Sequence, residues 1–168
     1  KRAKPGSKTF SRLYKDLWQA LLEEAEKRGW SEIIVAPEDE VAGNPTLWQR
    51  TIVKSSLLKQ LGITTAVTQC YDGTEWMEKA WPYIDIPILS FSMKARSGQP
   101  PWPEIVEYVK KQGKILWTYN IDGAMQFTQP TTYRFYTGFF FRTLGASCWG
   151  LYYWIFYYSI GDPYTDLD

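Results

Sequence analysis

Apolar residues recur at helical spacing near the start of the chain and then gather into short unbroken runs. Phe10, Leu13, Leu17, Leu21 and Ala25 fall three or four apart, and Trp18 and Leu22 widen the stripe. This period predicts a helix from Thr9 to about Arg28, capped by Ser7 or Thr9 and stopped by Gly29. Residues 1–8, with Pro5-Gly6-Ser7, read as a linker or tail. The run Ile33 to Ala36 follows. It is short, β-branched and unalternating, which predicts a strand covered on both faces. Pro37 cannot donate to a ladder, so the strand ends near it. Three acids, Glu38, Asp39 and Glu40, then stand just past its C-terminal end.

The alternation continues. Gly43-Asn44-Pro45 is turn chemistry, and a second helix is expected from about Thr46 to Leu61, stopped by Gly62. Ile63–Thr68 reads as a strand, Glu75–Ala80 as a short helix and Tyr83–Phe91 as a third strand. Pro103 opens a helix to about Gln112, and Lys114–Tyr119 is a fourth strand. A helix from Thr131 to about Leu144 and a strand from Trp149 to Phe156 close the pattern. Helix and strand alternate at intervals that fit βαβ crossovers, so the fold class is α/β with a parallel sheet. An open doubly wound sheet and part of a (β/α)8 barrel both fit. In either one, ligands bind at the C-terminal ends of the strands, where the three acids lie. As bare residues they also suit an ordinary solvated loop.

Composition narrows the chemistry. The chain has 168 residues and a formal net charge of +1, which gives no case for nucleic acid or an anionic membrane as partner. It contains no histidine, which excludes Ser-His-Asp and Cys-His catalysis and His-ligated metal sites within it. Cys70 and Cys148 have no metal-like spacing and read as two buried thiols. No cofactor is expected, and no Gly-rich phosphate loop follows any strand. No apolar run is long enough to span a bilayer. Aromatic residues make up 17% of the chain, with nine Trp and twelve Tyr, more than a core alone explains. They suit a surface that stacks flat, partly apolar ligands such as sugars.

Ile115–Tyr119, Pro130 with Arg134, and Gly150–Trp154 with Asp162-Pro163-Tyr164 together resemble the end of the catalytic barrel of glycoside hydrolase family 123. Ile115-Leu116-Trp117-Thr118-Tyr119 is similar to that family's aromatic seventh strand. Pro130 with Arg134, then Gly145-Ala146, is similar to the helix before the last strand. Gly150-Leu151-Tyr152-Tyr153-Trp154, followed by Asp162-Pro163-Tyr164, resembles the eighth strand and its loop. Asp39-Glu40 falls where the family carries its catalytic pair, although Val41 follows here where the family usually has Pro. The resemblance runs from about Leu13 to Asp168. It implies that residues 9–168 are the C-terminal portion of a (β/α)8 barrel domain, about strands four to eight. Missing sequence or another chain would then complete the barrel.

The resemblance also implies a reaction: substrate-assisted retaining hydrolysis of a β-linked N-acetylhexosamine, GalNAc-like. Glu40 would be the general acid and base, and Asp39 would orient the acetamido nitrogen. Tyr119, Trp154, Trp117 and Trp76 are the candidate carbohydrate-binding aromatics. Trp76 is placed in a loop on the mouth side, and the alternative for Trp117 is packing inside the barrel. Asp72 and Asp122 read as ordinary loop acids. A glycan-degrading enzyme of this kind would be secreted or displayed at the cell surface. The competing function is a non-catalytic carbohydrate-binding or structural domain derived from a barrel.

Overall fold

Helices and parallel strands alternate along the chain in a computed structural model that describes residues 3–90, 102–120 and 148–151. Helix α1 (Lys8–Lys27) starts at Ser7, whose hydroxyl accepts the Phe10 N–H at 3.2 Å and satisfies a donor of the first turn. Gly29, at φ 64°, takes the left-handed conformation beyond its end. Strand β1 (Ile34–Val35) follows, then α2 (Pro45–Gln60). Asn44 caps α2 by accepting from the Thr46 and Leu47 amides at 3.1 and 3.2 Å. Strand β2 (Thr64–Thr68), helix α3 (Glu75–Ala80), a 3-10 turn (Trp81–Tyr83) and strand β3 (Ile86–Ser90) come next. Helix α4 (Trp102–Lys111), strand β4 (Trp117–Asn120) and strand β5 (Cys148–Leu151) complete the described elements. The helix expected over 131–144 lies outside the described residues, as does the expected final strand beyond Leu151.

The strands lie in the order β1-β2-β3-β4-β5, and every neighbouring pair is parallel. The α/β class read from the sequence is therefore present. Sequential order means that each crossover moves one strand further in the same direction. Right-handed crossovers then place all the connecting helices on one face. The packing agrees. Val35 packs with Leu58 and Ile63 against Tyr14, Trp18 and Leu22 of α1. Val67 and Leu89 pack with Trp48, Met77, Val109 and Leu116. Val35, Val67 and Leu89 share one face of the sheet by register. Ile34, Thr64, Ala66, Thr68, Ile86, Ile88 and Trp117 form the other face, and none of them joins either cluster. A doubly wound sheet needs a reversal of strand order to make its ligand crevice, and the described strands contain none.

Three local expectations are corrected. The run Ile33–Ala36 predicts a strand covered on both faces, but β1 is two residues long, with Val35 6% and Ile34 38% exposed. It is the edge strand, and helices cover only the Val35 face. In α1 the packed flank is Tyr14, Trp18, Leu22 and Ala25, whereas Leu13 and Leu17 are exposed. The apolar stripe is wider than the surface that α2 and β1 offer it. The run Tyr83–Phe91 predicts one long strand, yet the ladder begins at Ile86. The Asp85 N–H still donates to the Thr65 carbonyl at 3.1 Å, but the Asp85 carboxylate, which also accepts from Lys59 Nζ at 2.5 Å, takes the Thr65 N–H at 2.9 Å, so the return bond of the ladder is diverted to a side chain.

Candidate functional site

The acidic stretch separates into residues with different environments. The Glu38 side chain turns back toward the helix layer and is buried. Lys54 Nζ lies 2.6 Å and Arg50 Nε 2.8 Å from its Oε1. The two cations stand four residues apart on α2, on one face of the helix. Lys54 also donates to the Pro37 carbonyl at 3.0 Å. Glu38 therefore fastens the end of β1 to α2 and is not available to a ligand.

Asp39 and Glu40 turn the other way, toward the end of β2. Neighbouring residues of an extended strand point in opposite directions. Glu40 breaks that rule with φ 46°, a left-handed conformation uncommon for a residue with a side chain. Its N–H donates to Thr68 Oγ1 at 2.7 Å, and the same hydroxyl donates to Asp39 Oδ1. Gln69 Nε2 donates to Glu40 Oε1 at 3.1 Å. Gln69 is itself left-handed, at φ 41°, and buried. Its backbone is fixed on both sides: its N–H donates to the Ile88 carbonyl at 2.7 Å, and its carbonyl accepts from Ala42 at 2.9 Å. The C-terminal ends of two adjacent parallel strands are thus tied through a carboxylate pair. The Glu40 residue is exposed.

Asp72 secures the far side of this loop. Its Oδ2 accepts from Gly43 N–H at 2.9 Å and from Trp48 Nε1 at 2.8 Å. Its Oδ1 accepts from the Thr74 N–H at 3.0 Å and from the Thr74 hydroxyl at 2.7 Å. Burial alone would raise its carboxyl, but the donors from Gly43, Thr74 and Trp48 outweigh that and hold it below the usual carboxylate range. Asp72 is therefore a clamp between two loops rather than an ordinary loop acid.

The chain matches no protein-family model, no curated protein and no solved structure. The site therefore rests on its own geometry.

The structure brings Asp39 and Glu40 together and places one of the four aromatics, Trp76, in the helix layer. Trp76, expected in a loop, is the second residue of α3 and packs on the main core, with Lys79 Nζ 4.8 Å from its ring centroid. It sits there because Thr74 caps α3 at once, leaving no loop for it. Trp117 opens β4 and lines a cleft of about 510 Å³ with Ile34, Thr64, Ile86 and Ile115. By register Trp117 stands level with Ile88 and Thr68 on the same face of the sheet. Tyr119 pairs in register with Ser90 and Gly150, which places its backbone near the C-terminal end of β4. Trp154 lies outside the described residues.

Thr68, Gln69 and Asp72 are the site-forming residues that sequence reasoning did not find in this role. A signal existed for the first two. In a parallel sheet the residues that end one strand stand beside those that end the next, so the end of Ile63–Thr68 had to face Asp39-Glu40. Cys70, one residue on, is a free and fully buried thiol whose pKa burial pushes up to about 12. Among the described residues no helix is long and apolar enough to cross a membrane, and no cluster of acidic and cysteine side chains has metal-holding geometry.

Proposed function

We propose that this chain is part of a (β/α)8 glycoside hydrolase domain that cleaves β-linked N-acetylhexosamine by substrate-assisted retention. The left-handed step at Glu40 carries the reading, because it sets two adjacent carboxylates side by side at the C-terminal end of a parallel strand. That end is where barrel enzymes place their chemistry. Sequential strand order and helices on a single face support the barrel, whose helices ring the outside. A closed barrel has eight strands, so the reading requires strands beyond the five described, from further sequence or another chain.

In this mechanism the sugar's own 2-acetamido oxygen attacks the anomeric carbon as the glycosidic bond breaks. Glu40 gives its proton to the leaving oxygen, and a bicyclic oxazolinium forms. Glu40, now a carboxylate, takes a proton from water as that water attacks the anomeric carbon and reopens the ring. Two inversions retain the configuration, without the second carboxylate nucleophile of most retaining enzymes. Asp39, with Oδ1 held by Thr68, offers Oδ2 to the acetamido N–H and stabilises the positive charge that develops on nitrogen. Tyr119 and Trp154 would close on the sugar from later strands, stacking its apolar face.

The test is turnover of a chromogenic β-N-acetylhexosaminide by the protein and by its Glu40→Gln variant, with the anomer of the first-formed product read by NMR. The reading expects retention and a loss of about 10²–10⁴ in kcat for Glu40→Gln. Absence of turnover in the wild-type protein, assayed together with the sequence or chain that completes the barrel, would sink it. The exposure of Glu40 favours a second reading, a non-catalytic carbohydrate-binding domain, in which Glu40→Gln leaves sugar binding mostly intact.

A further inference from the structure

We infer that Thr68, which ends β2, and Gln69, which follows it, are positioning residues: Thr68 fixes which Asp39 oxygen faces a ligand, and Gln69 holds the Glu40 carboxyl in place. The inference rests on the glycosidase reading above. The Thr68 hydroxyl is used in both directions. It accepts the Glu40 N–H at 2.7 Å, which directs its own proton to Asp39 Oδ1. Asp39 is thereby turned so that Oδ2 is the oxygen presented to a ligand N–H. One hydroxyl thus sets the backbone of one acid and the side chain of the other.

Gln69 completes the assignment. Its Nε2 can only donate, and it donates to Glu40 Oε1 at 3.1 Å. This bond holds Glu40 through Oε1 against the end of β2. Gln69 can hold this aim because its own backbone has little freedom. It is buried, left-handed at φ 41°, and bonded to Ile88 on one side and Ala42 on the other. Strained residues of this kind persist where the surroundings over-determine them. Thr68 and Gln69 touch no substrate in this scheme and act only through the pair.

The experiment compares Thr68→Val, Thr68→Ser and Gln69→Leu with the wild-type protein by two readouts. The first is amide hydrogen exchange at Glu40, whose N–H is held by the Thr68 hydroxyl. Thr68→Val should exchange about tenfold faster there, and Thr68→Ser should return to within about twofold of wild type. The second is steady-state turnover. Thr68→Val and Gln69→Leu should lose about 10–100-fold in kcat with KM nearly unchanged, because they misplace the acids rather than remove binding contacts. Thr68→Ser should recover most of the loss.

Unchanged exchange at Glu40 in Thr68→Val overturns the positioning of the pair, whatever turnover does. Faster exchange in a protein whose wild type has no turnover supports the positioning and overturns the glycosidase reading. Gln69→Leu with wild-type kcat overturns the positioning of Glu40 by Gln69. That variant keeps the side-chain volume, so it remains decisive if Thr68→Val fails to fold.

Discussion

Replacing Glu38 with Gln should destabilise the protein and leave the chemistry alone, the reverse of Glu40→Gln. The Glu38 side chain is 7% exposed and receives Lys54, itself 17% exposed, at 2.6 Å, and Arg50, 43% exposed, at 2.8 Å. Removing the charge leaves the Lys54 ammonium with only the Pro37 carbonyl and a neutral amide. Breaking a fully buried pair costs about 3–5 kcal/mol because the remaining charge is stranded. Arg50 reaches water, so its share is screened. The expected cost is therefore lower, about 2–3 kcal/mol. With a urea slope of about 2 kcal/mol/M, the unfolding midpoint should fall by about 1–1.5 M. The assay is urea unfolding of the two single variants, followed by kcat corrected for the folded fraction. Glu38→Gln should keep kcat within about threefold of wild type, since no reacting atom is touched. A midpoint shift below about 0.3 M would refute the anchoring role. A loss of kcat equal to that of Glu40→Gln would show that the wrong acid had been assigned to the site.

Two further outcomes follow from the loop clamp and the buried thiol. The Asp72 carboxyl is held below its unfolded value, so its contribution is present above about pH 4 and is lost as pH falls through the lower folded value. Asp72→Asn should therefore cost about 1–2 kcal/mol at pH 7 by urea unfolding, and the gap from wild type should close in acid. Cys70, with a pKa of about 12, should react with iodoacetamide at pH 8 more than about a thousandfold more slowly than a free cysteine. Peptide mapping reads this directly, and fast labelling of Cys70 in the folded protein would contradict its burial.

The fold was largely legible because its signals are local. The helical period in residues 10–25, Asn44-Pro45 at the start of α2 and Gly29 and Gly62 beyond the helix ends mark boundaries without tertiary information. The misread boundaries were tertiary. Asp85 shortens β3 through bonds to Thr65 and Lys59, 20 and 26 residues away. At the site, the position of Asp39-Glu40 after a strand was legible, but the split between Glu38 and its neighbours was not. It depends on Arg50 and Lys54, twelve and sixteen residues on, and their four-residue spacing on one face of α2 was the only hint. The loop placement of Trp76 was at odds with the helix read over Glu75–Ala80, and the local cap at Thr74 decides for the helix.

The backbone at Glu40 is the feature that favours the proposed pair over a merely acidic loop. The segment from Glu38 to Gly43 is fastened at three places: Glu38 to α2, Asp39 and Glu40 to the end of β2, and Gly43 to Asp72. A connection so tightly held could make its left-handed turn with glycine at no steric cost. A glutamate there costs about 1–2 kcal/mol. A solvated loop gives no reason to retain that cost, and it gives none for a second left-handed residue, Gln69, facing the first across the sheet. The two strained residues meet through their side chains, amide to carboxylate, at 3.1 Å. The strain therefore lies where a carboxyl is aimed and not where the chain merely turns. The proposed ligand, met by a carboxyl held in one direction, would account for both.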